Sequence, residues 1–291
     1  MDILTNYTFQ IVALGSVLLA VAAAPVGAFS VYKGQSLIGD AIGHSTFPGI
    51  ILAYMAFATR SPVILLAGAI LAGAASYALI QLAHRDKRLG LDANLAIFLS
   101  GFFGLGMALK SFIQGNPDYA GASQAGLGTY IFGQAAYMLE VDVLLIAAIS
   151  ALVLTLLLLF YKELKLFVFD AEYAEVVGLP CRLLNLLLLV MTIAVIGIGI
   201  KAVGAILISS FLIIPCVAAN QWSNNFARVL LLSSLIGAVS ALVGTYISTL
   251  EQGMSTGPSI ILVASLIAFF SIVFGTKGIL GSVLKRRRTH G

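Results

Sequence analysis

Long apolar runs, broken by glycine, proline and isolated charges, set the rhythm of this chain. They fall near residues 9–32, 36–58, 62–83, 92–113, 141–161, 181–200, 203–220, 229–249 and 258–275. Most are close to the roughly 20 residues that a helix needs to cross about 30 Å of hydrocarbon. None shows the alternation of a half-buried strand. The pattern predicts an all-α, polytopic membrane protein with eight or nine transmembrane helices. The count turns on 181–200 and 203–220, which only Lys201 separates, so that one of the pair is expected to be short or broken.

Composition agrees. Of 291 residues, 60% are hydrophobic and 10% charged, and the mean hydropathy is +1.06. A water-soluble globule carries roughly 25% charged residues and could not hide this much apolar surface. Soluble enzymes, disordered chains and disulfide scaffolds are excluded. The two cysteines, Cys181 and Cys216, lie in or beside apolar runs and read as buried free thiols. The start, Met1-Asp2-Ile3-Leu4-Thr5-Asn6, lacks a basic n-region, so the first span is expected to stay in the protein.

The excess of 16 basic over 12 acidic residues has a topological reading. With the tail Lys285-Arg286-Arg287-Arg288 in the cytoplasm and nine alternating spans, Lys33, Arg85, Lys87, Arg88, Lys162, Lys165, Arg182, Arg228 and Lys277 also lie inside. Arg60, Lys110 and Lys201 alone lie outside, so 13 of the 16 basic residues are internal. This bias predicts an external N-terminus and a cytoplasmic C-terminus. Nucleic-acid binding is not needed to explain the charge. Two connections are long: 114–140, external, with Tyr119, Tyr130, Phe132 and Tyr137; and 162–180, internal. No repeat or linker divides the chain, and 1–291 reads as a single transmembrane domain.

Three stretches carry chemistry. Asp40 and His44 stand four apart, hence one above the other on a helix, with Ser36 extending the stripe and Gly39 and Gly43 forming a small-residue edge beside it. Ionisable groups within a span mark a functional site by default. Carboxylate plus imidazole suits a divalent first-row cation such as manganese, iron or zinc. Two ligands do not complete a site; a second copy would supply two more, with the glycine edge allowing close approach. The competing reading is that Asp40 and His44 merely pair with each other or sit solvated near the headgroups.

The internal connection holds Phe169-Asp170-Ala171-Glu172-Tyr173-Ala174-Glu175-Val176-Val177-Gly178-Leu179-Pro180. It predicts a short helix, acidic on one side, with Phe169, Tyr173 and Val177 on the other. Helices that lie on anionic lipid favour Lys and Arg on their polar face. An acidic one with aromatic residues is better suited to docking on a protein. The glycines of Gly101-Phe102-Phe103-Gly104-Leu105-Gly106 have phosphate-loop spacing but no following Lys and lie in an apolar span. The chain thus has no ATP site of its own. Pro215 predicts a kink, with ordinary packing as the alternative, and Cys216 reads as a packed thiol.

Taken together, these blocks resemble the permease subunit of ATP-binding-cassette importers for manganese, zinc or iron. The likeness runs through nearly the whole chain. Ser36-Leu37-Ile38-Gly39-Asp40-Ala41 with His44 and Pro48-Gly49 resembles the hallmark segment; Phe169 through Pro180 resembles the coupling helix. Val203-Gly204, Leu212-Ile213-Ile214-Pro215 and Thr256-Gly257-Pro258 resemble two further blocks. Gly43 stands where serine is more usual.

The resemblance implies a multi-pass protein of the bacterial cell membrane that is not itself an enzyme and holds no permanent cofactor. The divalent metal is its cargo, with Asp40 and His44 as path residues. It implies cytoplasmic ATPase subunits gripping Phe169, Asp170, Glu172, Tyr173, Ala174, Gly178, Leu179 and Pro180. An extracellular metal-binding protein and a second permease, identical or paralogous, complete the assembly. The rival readings are a proton-coupled secondary metal transporter, in which Asp40 and His44 relay protons, and an importer of a metal chelate, which would not use them as ligands.

Overall fold

The computed structural model describes residues 6–59, 61–84, 90–116, 119, 135, 138–204, 208–250 and 254–279. Within them the chain forms eleven helices: α1 Tyr7–Tyr32, α2 Ile38–Phe57, α3 Pro62–His84, α4 Leu91–Gly115, α5 Glu140–Leu159, α6 Tyr161–Phe169, α7 Ala171–Val176, α8 Cys181–Val203, α9 Ile208–Asn220, α10 Phe226–Leu250 and α11 Thr256–Phe274. Each of the nine apolar runs falls on one long or medium helix. Of the aromatic residues named in 114–140, Tyr130, Phe132 and Tyr137 lie outside the described residues, as does the basic tail.

Among the described residues, seven helices are long and apolar enough to cross a membrane: α1, α3, α4, α5, α8, α10 and α11. Helix α2, with 20 residues, has the length, but Asp40, His44, Ser45 and Thr46 dilute its apolar character. Helix α9 has only 13 residues, about 20 Å at 1.5 Å per residue. It is the short member of the pair that follows residue 180. The break before it falls at Gly204, whose φ of 96° suits a residue without a Cβ.

Helix α1 is the centre of the bundle, packing on α5, α8, α9 and α10. Its middle is a run of small residues, Ala22, Ala23 and Ala24, all fully buried. At Gly27 α9 comes so near that a Cβ would overlap the Leu212 carbonyl. Asn6, the first residue of an Asn-x-Thr triplet, caps α1 by accepting a hydrogen bond from the Thr8 amide at 3.0 Å.

Side-chain contacts align the helix ends. At one end, Tyr7 of α1 donates to the carboxylate of Glu140 at the start of α5. There too Phe9 meets Tyr246 of α10 with ring centres 6.3 Å apart, and Ser248 and Thr256 share a 3.0 Å hydrogen bond. At the other end, Tyr32 donates to Asn220 of α9 at 2.9 Å, and Lys277 beyond α11 donates to the same residue at 3.2 Å. Four rings from three elements meet beside them: Phe226 lies 4.9 Å from Phe29, 5.0 Å from Tyr32 and 5.2 Å from Phe169. The helices therefore alternate in direction. Lys33, Arg182, Arg228 and Lys277 gather at this second end with the short helices α6 and α7.

Candidate functional site

Two glycines and two serines place α2. Gly49 crosses α3 at Gly68, each seated on the other's backbone, and one turn away Ser45 donates to Ser76 of α3 at 2.7 Å. A different face of α2 packs on α4, where Gly106 leaves space for the Phe47 ring; a Cβ there would lie 2.5 Å from it. Helix α9 closes a third side, with Leu212 filling the space over Gly39. Three faces are thus committed to the chain itself, and Asp40 and His44 occupy the remaining sector.

The two predicted ligands do come together. His44 Nε2 lies 3.5 Å from Asp40 Oδ1; the His44 side chain is 12% exposed and that of Asp40 29%. The imidazole stands edge-on to Phe103 of α4, with centres 4.9 Å apart. His44 Nδ1 is buried without a hydrogen-bond partner. A bare pairing of the two residues accounts for Nε2 but leaves that nitrogen unsatisfied, which is unusual for a buried polar atom. No cluster of three or more His, Cys, Asp or Glu that could hold a metal exists among the described residues. This chain offers an ion one oxygen and one nitrogen donor, and a partly open side on which more could be added.

The glycine edge does something other than expected. Gly39 is filled by Leu212 and Gly43 is buried, so both serve packing within the chain, not approach of a second α2. Phe103 was the neighbour that the sequence concealed. Of the glycines at 101, 104 and 106 only Gly106 marks a close approach, to Phe47; Gly101 and Gly104 face open space.

The segment 169–180, expected as one helix, belongs to two. Asp170 adopts φ −151°, ending α6 and capping α7, where its carboxylate accepts from the Tyr173 amide at 2.9 Å. Phe169 therefore belongs to α6 and packs against Tyr32 and Phe226, off the expected stripe with Tyr173 and Val177. Ala174 is wholly buried, whereas Tyr173, Val176 and Val177 are exposed, Val176 to 83%. Glu172 and Glu175 are also exposed. Gly178, at φ 86°, ends α7: its amide donates to the Glu175 carbonyl and the Leu179 amide to that of Ala174, both at 3.0 Å. Pro180 then starts α8. The product is a rigid elbow with acidic and apolar side chains projecting from one end of the bundle.

A multi-pass helical bundle with an ionisable pair on an inner helix and a protruding elbow defines a membrane transport subunit. Comparison with known proteins places it further: residues 5–275 match the ABC 3 transport family, and the chain belongs to that family. It is 39% identical over 289 residues to the zinc transport system membrane protein TroC of Treponema pallidum, covering 99% of this chain and 96% of that protein. It is also 39% identical over 285 residues to the manganese transport system membrane protein MntC of Bacillus subtilis, covering 96% of this chain but 65% of the relative's length. The fold matches that of PsaBC from Streptococcus pneumoniae, solved in complex with Fab, with a TM-score of 0.82 at 26% identity over 94% of each chain.

Proposed function

We propose that this chain is the membrane-spanning subunit of an importer that moves a divalent transition-metal ion, manganese, zinc or iron, into the cell. The observation that carries the reading is the Asp40–His44 pair, set 3.5 Å apart on a helix packed against α3, α4, α8 and α9, with an unsatisfied imidazole nitrogen. The relatives named for zinc and manganese transport support the class of cargo.

In this reading the basic end of the bundle faces the cytoplasm, which puts the N-terminus outside and the C-terminus inside. The protein acts as one domain of eight or nine crossings, depending on whether the short α9 is counted. An extracellular binding protein delivers the ion, and a second permease, identical or paralogous, adds its own donors opposite Asp40 and His44. Two ligands per chain hold the cargo loosely, as a path must if the ion is to leave. Separate ATP-binding-cassette subunits grip the elbow at Phe169, Asp170, Glu172, Tyr173, Ala174, Gly178, Leu179 and Pro180 and hydrolyse the ATP. The exposed Tyr173 and Val176 supply the apolar contact. Ala174, being buried, sets the elbow's seat on the bundle.

The test is metal accumulation by cells expressing the chain with its neighbours. Asp40→Ala and His44→Ala should each lower uptake of radioactive manganese or zinc at least tenfold at unchanged expression. Undiminished uptake in both would eliminate the path assignment and favour cargo carried as a chelate. Uptake driven by a pH gradient without any ATPase would establish the proton-coupled alternative.

A further inference from the structure

Lys33 stands one residue beyond α1, and its surroundings are unusual for a lysine. The ammonium donates to Asn185 Oδ1 on α8 and lies over the Phe167 ring of α6, 4.8 Å from its centre. Among the described residues no carboxylate comes within salt-bridge distance of it. Burial pushes it down to about 8, still largely protonated at neutral pH. A cation held in such a place without a counter-ion is poor packing: an apolar side chain would fill the space with less desolvation. What it adds is direction.

The contacts continue on both sides. Asn185 Nδ2 donates to the Tyr77 hydroxyl of α3 at 2.8 Å, and Gln81 Nε2 donates to the same oxygen at 2.6 Å. Next to Lys33, Tyr32 packs on Phe169 with ring centres 5.4 Å apart. Two successive residues at the end of α1 thus hold Phe167 and Phe169, the last turn of α6 before the elbow. The link onward to α2 is short and stiff. Gly34, at φ 74°, turns the chain, its amide bonded to the Val31 carbonyl; the Gln35 amide bonds to Ser30 and the Ile38 amide to Gln35, all within 3.1 Å. Asp40 follows in the first turn of α2.

We infer that Lys33 is a positioning residue that carries displacement of the α6–α7 elbow to α2, and so to Asp40 and His44. It does so by holding Phe167, Asn185 and the α1–α2 turn in one register. Apolar contacts can slide, whereas an ammonium fixed between an amide oxygen and a ring face cannot shift without losing one of them. The inference rests on the reading that an ATPase moves the elbow.

The test uses the full transporter, this chain with its ATPase and binding protein, in proteoliposomes. Lys33→Met should hydrolyse ATP within about twofold of wild type yet import at least tenfold fewer metal ions per ATP. Lys33→Arg, which can still reach Asn185 and stack on Phe167, should recover the ratio to within threefold. An unchanged ratio in Lys33→Met overturns the inference. Should that variant not assemble, Tyr77→Phe, which keeps the ring and removes the shared hydroxyl, decides instead, with at least a threefold fall in the ratio expected and no fall overturning it.

Spin labels provide a readout independent of cargo. Cysteines at Lys165 on α6 and Ser36 before α2, each paired with one at Leu139, sit at exposed positions, and native Cys181 and Cys216 are buried. ATP should change both distances in the wild type but only the Lys165 distance in Lys33→Met. Both distances still changing in the variant, or an unmoved Lys165 pair in the wild type, overturns the relay. If the wild type moves the labels yet imports no metal, the transport reading fails and the relay stands.

Discussion

Gly49 and Gly68 press backbone to backbone across the α2–α3 crossing: a Cβ at position 68 would lie 2.5 Å from the Gly49 carbonyl oxygen. One at position 49 would sit closer still to that of Gly68. This contact, more than any hydrophobic surface, sets the depth and tilt of the helix that carries Asp40 and His44. Gly68→Ala should therefore force the helices apart. Overpacking of this kind costs about 1–3 kcal/mol. The expected outcome is a clear fall in the thermal midpoint in detergent together with a loss of metal uptake, even though no ligand has changed.

Gly39 makes a softer case. A Cβ at this position would meet the end of the Leu212 side chain at 2.7 Å, and not backbone. Gly39→Ala should lower stability by about 1 kcal/mol, in the range of mild overpacking. Combined with Leu212→Ala, which removes the obstructing side chain, it should cost less than the sum of the two single changes. A double mutant whose destabilisation is the plain sum of the two single changes would show that the residues are not in register as described.

At the elbow, two backbone devices can be removed separately. Gly178→Ala introduces no clash, since open space surrounds the position, but it forces a side chain into the left-handed region at about 1–2 kcal/mol. Asp170→Ala removes the cap of α7, worth about 1 kcal/mol. Both should loosen the elbow while leaving the membrane bundle folded. Co-purification of an ATPase with the chain should weaken in each variant at unchanged circular dichroism.

Lys33 gives a signed pH dependence. Its pKa falls from 10.5 in the unfolded chain to about 8 in the folded one. Between these values the unfolded chain holds the proton and the folded one does not, so folding is increasingly favoured as pH rises from about 8 towards 10.5. Below about 8 the contribution is flat. Comparing Lys33→Met with wild type cancels the other groups. The wild-type midpoint should gain on the variant's as pH rises through that window, and an unchanging gap would contradict the burial of the ammonium.

Much of this molecule was legible as a string. Apolar length locates helices in a bilayer protein because lipid demands it, and every run from 9–32 to 258–275 fell on a helix. The nearness of Asp40 and His44 followed from their spacing, since a helix brings residues four apart together. What escaped was pairing between distant helices. Nothing near Gly39 announces that Leu212 fills its groove, and nothing near His44 points to Phe103. The split of 169–180 into two helices was hidden for a local reason: Asp170 can sit inside a helix or cap one, and the choice is made by Phe169 finding Tyr32 and Phe226.

Helix α1 has a wider consequence. Its alanines at 22–24 are fully buried, so this apolar segment is fitted to its neighbours and not to lipid. There, greasiness and fit part company. Leucine would be the better residue for a membrane and the worse one for this protein, and the tolerance of α1 to substitution should follow side-chain volume while that of the outer helices follows polarity.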